Sequence, residues 1–106
     1  MTTPTETSST ADPTVFEAAL RTDGYLDVQL RDIAAGTHNA THSHPFDVRA
    51  LMLAGELALT HEGRTQVYRA GEVFIMAAGC EHAEQFGAAP ARYLVGRRAV
   101  PAEGRD

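Results

Sequence analysis

From Tyr25 onward the apolar residues recur at every second position, in short runs cut by glycine, proline or acidic turns. The first such run is Tyr25-Leu26-Asp27-Val28-Gln29-Leu30-Arg31-Asp32-Ile33, and others cover Val48 to Ala54, Leu57 to His61, Thr65 to Arg69, Val73 to Met76 and Ala91 to Arg97. A period of two marks half-buried strands, not helices. Between His61 and Thr65, Glu62-Gly63 gives a tight hairpin, because such a turn needs residues that accept left-handed backbone. Further turns fall at Ala70-Gly71-Glu72 and Gly87-Ala88-Ala89-Pro90. With the segments around His42-Ser43-His44 and His82 included, the pattern predicts about eight short strands, and so a small all-β protein: an antiparallel barrel or jelly roll.

The start of the chain is different. Residues 1–13 are polar and almost free of apolar side chains, which predicts a flexible tail, and one domain then fills 14–106. Val15-Phe16-Glu17-Ala18-Ala19-Leu20 fits two readings, a short helical turn or an edge strand that closes the barrel or exchanges with a second subunit.

The candidate chemistry lies in the histidines. In an extended strand residues i and i+2 share a face, roughly 6 to 7 Å apart at Cα. His42 and His44 so placed can converge on one ion, and His82 on a neighbouring strand adds a third neutral nitrogen. Such a set leaves positions open for water or substrate. Glu84 stands two residues after His82 and faces the same way on a strand. It is a candidate fourth ligand, an acceptor orienting a histidine, or a general base, against the alternative of a carboxylate in solvent.

The glycines around these histidines have a regular spacing. Gly36 is followed by five residues, His42-Ser43-His44, and then Gly55 eleven residues on; Gly71 is followed by five residues, Ala77, one residue, Gly79, two residues and His82. The two segments resemble the two sequence motifs of the cupin superfamily, over residues 36 to 86. The resemblance implies a cupin β-barrel with a divalent transition metal, iron, manganese, nickel or zinc, at His42, His44 and His82. It also implies a homodimer, by packed barrels or exchanged edge strands. Three positions depart from the motifs. Val48 stands where a metal-binding Glu is common, Ala77 replaces the usual Pro, and Phe86 replaces an Asn. A fourth protein ligand therefore does not carry over. Asp47, beside Val48, is expected to face the other way. Cupins that lack the Glu include three-histidine dioxygenases acting on thiols and diketones, and members without known activity.

The remaining candidates follow from these expectations. Phe46, Met52, Phe74, Met76 and Phe86 are expected to point inward, as core or as apolar substrate contacts. Arg49 either faces inward, where it would grip an anionic substrate, or outward, paired with a carboxylate. Cys80 is a conceivable ligand or oxidisable thiol, or else a small buried hydrophobe. His38 is expected in a solvent-facing loop and His61 at the exposed hairpin end.

Composition narrows the field. A chain of 106 residues, 43 % apolar, is enough for one core. The net charge of −5 argues against a nucleic-acid surface. All nine basic residues are arginines, which excludes lysine Schiff-base chemistry. A single cysteine excludes an intramolecular disulfide and fits a cytoplasmic location, with no signal peptide or membrane-spanning run. Two functions stay open: a metal-dependent enzyme, dioxygenase-like or a lyase or isomerase, acting on a small molecule in the barrel; or a module that binds or senses a small ligand.

Overall fold

A computed structural model describes residues 12–100. The expected tail lies outside the described residues except for Asp12 and Pro13, and these two open a helix. In helix α1 (Pro13–Thr22) the Asp12 side chain accepts the Thr14 amide at 2.8 Å, and Pro13 occupies the first turn, where its missing N–H costs nothing. Phe16 and Leu20, four residues apart, form the buried stripe, while Glu17 and Arg21 pair on the outside. Of the two readings of this segment, the helix is the one adopted.

Eight strands follow: β1 (Asp27–Ile33), β2 (His38–His42), β3 (Phe46–Ala54), β4 (Glu56–His61), β5 (Arg64–Arg69), β6 (Val73–Met76), β7 (His82–Phe86) and β8 (Ala91–Ala99). They form two four-stranded antiparallel sheets, ordered β1-β8-β3-β6 and β2-β7-β4-β5. The two sheets face each other as a jelly roll. The hairpin between β4 and β5 turns at Glu62 (φ 53°) and Gly63 (φ 77°), both left-handed, as the twist of a two-residue hairpin demands.

Alternation fixes which side chains meet between the sheets. Val48, Ala50 and Met52 of β3 pack there against Leu57, Leu59, Phe74, Phe86 and Val95. The opposite face of the first sheet is covered as well: Leu51 and Leu94 pack beneath Phe16 and Leu20 of the helix, with Tyr25. This two-sided cover explains why Ala50-Leu51-Met52-Leu53 is an unbroken apolar run, where a strand wetted on one face would alternate.

Candidate metal centre

His42 is the last residue of β2 and His82 the first of β7, and they stand directly opposite each other in register. His44 lies past the end of β2, in the connection to β3, so the pair does not share one strand as the i, i+2 expectation requires. The loop brings it back. The Gly79 amide donates to the His44 carbonyl at 2.8 Å, tying this connection to the turn that precedes His82. The result is a cluster in which the ligand nitrogens of His42, His44 and His82 all lie within 4.8 Å of one another.

Register explains a further neighbour. Asn39 pairs with Glu84 and His42 with His82, so Ala40 and Thr41 oppose Ala83 alone, a β-bulge. Asn39 and His42, three residues apart, would face opposite sides of a regular strand. The extra residue lets both border the cavity, Asn39 at its exposed rim. There the Asn39 amide donates to Glu84 Oε1 at 2.6 Å, and Glu84 Oε2 stands 3.6 Å from His82 Nε2. Glu84 lies beside the histidine cluster and outside the group of mutually close ligand atoms.

The protonation pattern suits a cation. His42 Nδ1 lies 2.7 Å from the Ala40 carbonyl and His82 Nδ1 3.0 Å from the Cys80 carbonyl. A carbonyl can only accept, so both Nδ1 atoms carry a hydrogen, and Nε2 is the nitrogen that a neutral ring offers to a metal. His82 is 1 % exposed, and its Nε2 has no hydrogen-bond partner. An orphaned acceptor at such depth is costly unless something fills it. His44 is held neutral: burial lowers its pKa, and His42 and His82 beside it act in the same direction. A divalent transition ion fits this donor set.

The cluster borders a cavity of about 500 Å³ between the two sheets. Phe46 and Phe74 line it, with Phe46 stacked on His44 at 5.0 Å between ring centres. Met52 and Phe86 are not among its lining residues. They are buried in the core cluster and take the packing alternative of the two stated for them. Arg49 takes the outward reading and is not a substrate contact: it lies on the helix side of β3, bonded to Asp23 at 2.7 Å and over the Tyr25 ring at 4.6 Å. Val48 and Ala50 point inward, and a residue between them must point out.

Asp47 also faces away from the histidines. It accepts the Ala78 amide at 2.9 Å and Arg98 at 2.9 and 3.1 Å, so it braces the turn that leads into His82. The Ala78 amide, and then Arg98, hold its carboxyl below the usual carboxylate range. A carboxyl depressed in the folded state adds stability that is present above its unfolded pKa, about 3.9, and lost as pH falls through the folded value. Asp47→Asn is therefore expected to cost about 1 to 2 kcal/mol at neutral pH, with the gap to wild type narrowing as pH falls below about 4. Urea unfolding across that range reads the effect, and a gap that stays constant with pH would refute it.

Cys80 is half-buried, not a core hydrophobe; its sulfur lies 3.3 Å from His61 Nδ1, and it is absent from the histidine cluster. His61 is exposed, as is His38, which opens β2 instead of standing in a loop and meets Gln85 Oε1 at 3.2 Å. Four polar residues that line the cavity have no counterpart among the sequence expectations: Arg31, Asn39, Tyr93 and Arg97. Alternation along Ala91-Tyr93-Val95-Arg97 carries the signal for two of them. Burial raises the pKa of Tyr93, so its hydroxyl stays protonated and able to donate.

Two facing four-stranded sheets with a histidine cluster beside the cavity between them define a jelly-roll barrel with a candidate metal centre. This chain belongs to the cupin family: the Cupin domain profile matches residues 29–96. Solved structures agree on the fold. The cupin domain of Cnp3 from Schizosaccharomyces pombe superposes with a TM-score of 0.65 at 16 % identity, over 74 % of this chain and 58 % of that one. A cupin superfamily protein from Desulfitobacterium hafniense gives 0.62 at 20 % identity, over 69 % and 66 %. The DMSP lyase DddQ from Ruegeria pomeroyi gives 0.62 at 25 % identity, over 71 % and 39 %. The chain thus spans less than two thirds of each of these three proteins. Among curated protein sequences, none matches significantly. No helix among the described residues is long and apolar enough to cross a membrane.

Proposed function

We propose that this cupin is a metal-dependent enzyme acting on a small molecule, with His42, His44 and His82 holding a divalent transition ion and Glu84 handling a proton. The observation that carries the reading is His82 Nε2, buried, without a partner and turned toward two other histidines. A purely structural histidine at that depth would be hydrogen-bonded on both nitrogens. Iron, manganese, nickel and zinc all suit three imidazoles, and such an ion supplies Lewis acidity or, for iron, electron transfer. The chain's own contribution is orientation. Carbonyls at Ala40 and Cys80 fix two rings, and the Asn39 amide fixes Glu84. A carboxylate so held, 14 % exposed and facing the cavity, is placed to take a proton from a bound molecule and return it. A lyase stands among the similar structures, which favours the lyase or isomerase class over oxygen chemistry.

The same reading includes a cytoplasmic homodimer. Strand β1 is an edge of its sheet and leaves Leu30 half-exposed, with Leu26 beside it, which favours pairing with a second copy.

Elemental analysis of purified protein is expected to find close to one transition ion per chain. Glu84→Gln is expected to keep that ion and to lose turnover of a metabolite mixture followed by mass spectrometry. Loss of the ion in Glu84→Gln would make Glu84 a ligand. A metal-loaded protein that turns nothing over, with Glu84→Gln indistinguishable from it, would be a ligand-binding module instead. Oxygen uptake on turnover would move the reaction to the dioxygenase class.

A further inference from the structure

Among the described residues, five of the eight arginines pair with a carboxylate: Arg21 with Glu17, Arg49 with Asp23, Arg69 with Glu56, Arg92 with Asp32 and Arg98 with Asp47. Arg31, Arg64 and Arg97 do not. Arg64 sits at the exposed hairpin, but Arg31 and Arg97 both line the cavity. They stand on β1 and β8, in the sheet opposite the one that carries His42 and His82. Arg97 is half-buried and lies over the Phe46 ring at 4.7 Å, the same ring that stacks on His44. Arg31 is directly across from Tyr93 in the register of β1 and β8. Asp27, across from Arg97, forms no ion pair with it within 4.0 Å and does not line the cavity; its carboxylate accepts from Gln29.

Arg97 is half-buried and Arg31 is exposed, yet both border a concave, partly apolar space with no carboxylate paired to them among the described residues, and a charge in such a place is better held with a counter-charge than without one. Most of the other described arginines are matched, while the two in the cavity have no carboxylate partner among the described residues. We infer that the ligand provides it: the cavity takes a small carboxylic acid whose carboxylate is held by Arg31 and Arg97, with its other end at the histidines and Glu84. This rests on the metal-dependent reading only for what happens at that other end.

Charge selects the anion. In the metal-free protein the two guanidinium groups add two positive charges and the Glu84 carboxylate offsets one, which suits a monoanion. A phosphate near neutral pH carries more than that and would crowd Glu84. Shape agrees. The apolar part of the lining, Ile33, Val48, Phe74 and Val95 among it, is suited to a few carbons. The Tyr93 hydroxyl, kept protonated, is a further donor on the arginine side.

The test uses propionate, crotonate and benzoate as probes, each against its primary amide, with calorimetry and the arginine Nε–H resonances as readouts. Metal-free and zinc-loaded protein are both titrated. The acids are expected to bind and to shift the Arg31 and Arg97 signals, and the amides to bind at least about tenfold more weakly. Arg31→Gln and Arg97→Gln should each weaken the acids by about ten- to a hundredfold, because a charged hydrogen bond is lost. Arg64→Gln should bind like wild type. Equal binding of acids and amides, no binding of either, tighter binding of inorganic phosphate, or wild-type binding by both cavity variants would each overturn the inference. If any of these occurs while zinc still loads at one per chain, the metal-dependent reading stands. If zinc does not load but the acids still bind through the two arginines, the metal reading falls and the carboxylate site stands.

Discussion

Gly55→Ala is expected to destabilise the fold by roughly 3 kcal/mol or more, against about 1 kcal/mol for Gly79→Ala. Both glycines hold left-handed backbone, φ 78° at Gly55 and 82° at Gly79, so both substitutions meet the same conformational penalty. Their surroundings differ. A Cβ on Gly55 would stand 2.7 Å from the Ala91 Cα and 2.8 Å from the Pro90 carbonyl oxygen, and backbone in a sheet cannot swing aside. A Cβ on Gly79 would meet nothing within 4 Å. Gly55 thus does two jobs, turning β3 into β4 and letting the start of β8 pass close by. For a domain of this size the Gly55 change corresponds to a fall in Tm of more than about 10 °C, and the Gly79 change to about half that or less. Equal losses in a thermal scan would show that the close approach at Ala91 carries no weight.

Sequence alone carries the strands well because β-structure writes itself in alternation, and the alternation here is interrupted where Glu62-Gly63 and Ala70-Gly71 must turn. The spacing of His42, His44 and His82 within the glycine framework was legible for a similar reason: turns of fixed length fix which residues meet. The bulge between Asn39 and His42 was not legible, since one extra residue leaves no mark of its own on a five-residue strand. It decides that Asn39 faces Glu84. The outward face of Arg49, one of its two sequence readings, follows from the phase of Val48 and Ala50, though its partner Asp23, 26 residues away, leaves no mark in the local pattern. Depth is a different matter. Met52, Phe74 and Phe86 all point inward, yet only Phe74 reaches the cavity, because the level of a residue along the barrel depends on strand tilt and stagger, which no single strand encodes. The helix at Pro13 was announced by Asp12-Pro13, a capping residue followed by a first-turn proline, placed where polar composition predicted a tail.

The largest functional effect is expected at His82. With metal in hundredfold excess over its Kd, a site of this kind adds about 2.7 kcal/mol to the folded state, which is a rise in Tm of about 10 °C or more for so small a domain. His82→Ala should abolish that rise and weaken metal affinity by more than about a hundredfold, since changes outside the ligand shell alone reach that size. The metal-free variant should lose much less than a buried aromatic ring normally costs. Truncation leaves a void in the core, but it also removes Nε2, the one buried histidine nitrogen without a partner, and that atom is a standing cost to the metal-free fold. The two terms oppose each other, so the metal-free proteins should unfold within about 2 kcal/mol of one another. Cys80→Ser is the matched control. Cys80 is only two residues away, yet its sulfur turns to His61, so its loss should leave the metal response intact. Equal metal-induced stabilisation of wild type and His82→Ala would mean the ion binds elsewhere, and a metal-free His82→Ala that fails to fold would mean the ring itself, packed between His42 and His44, holds the two sheets together.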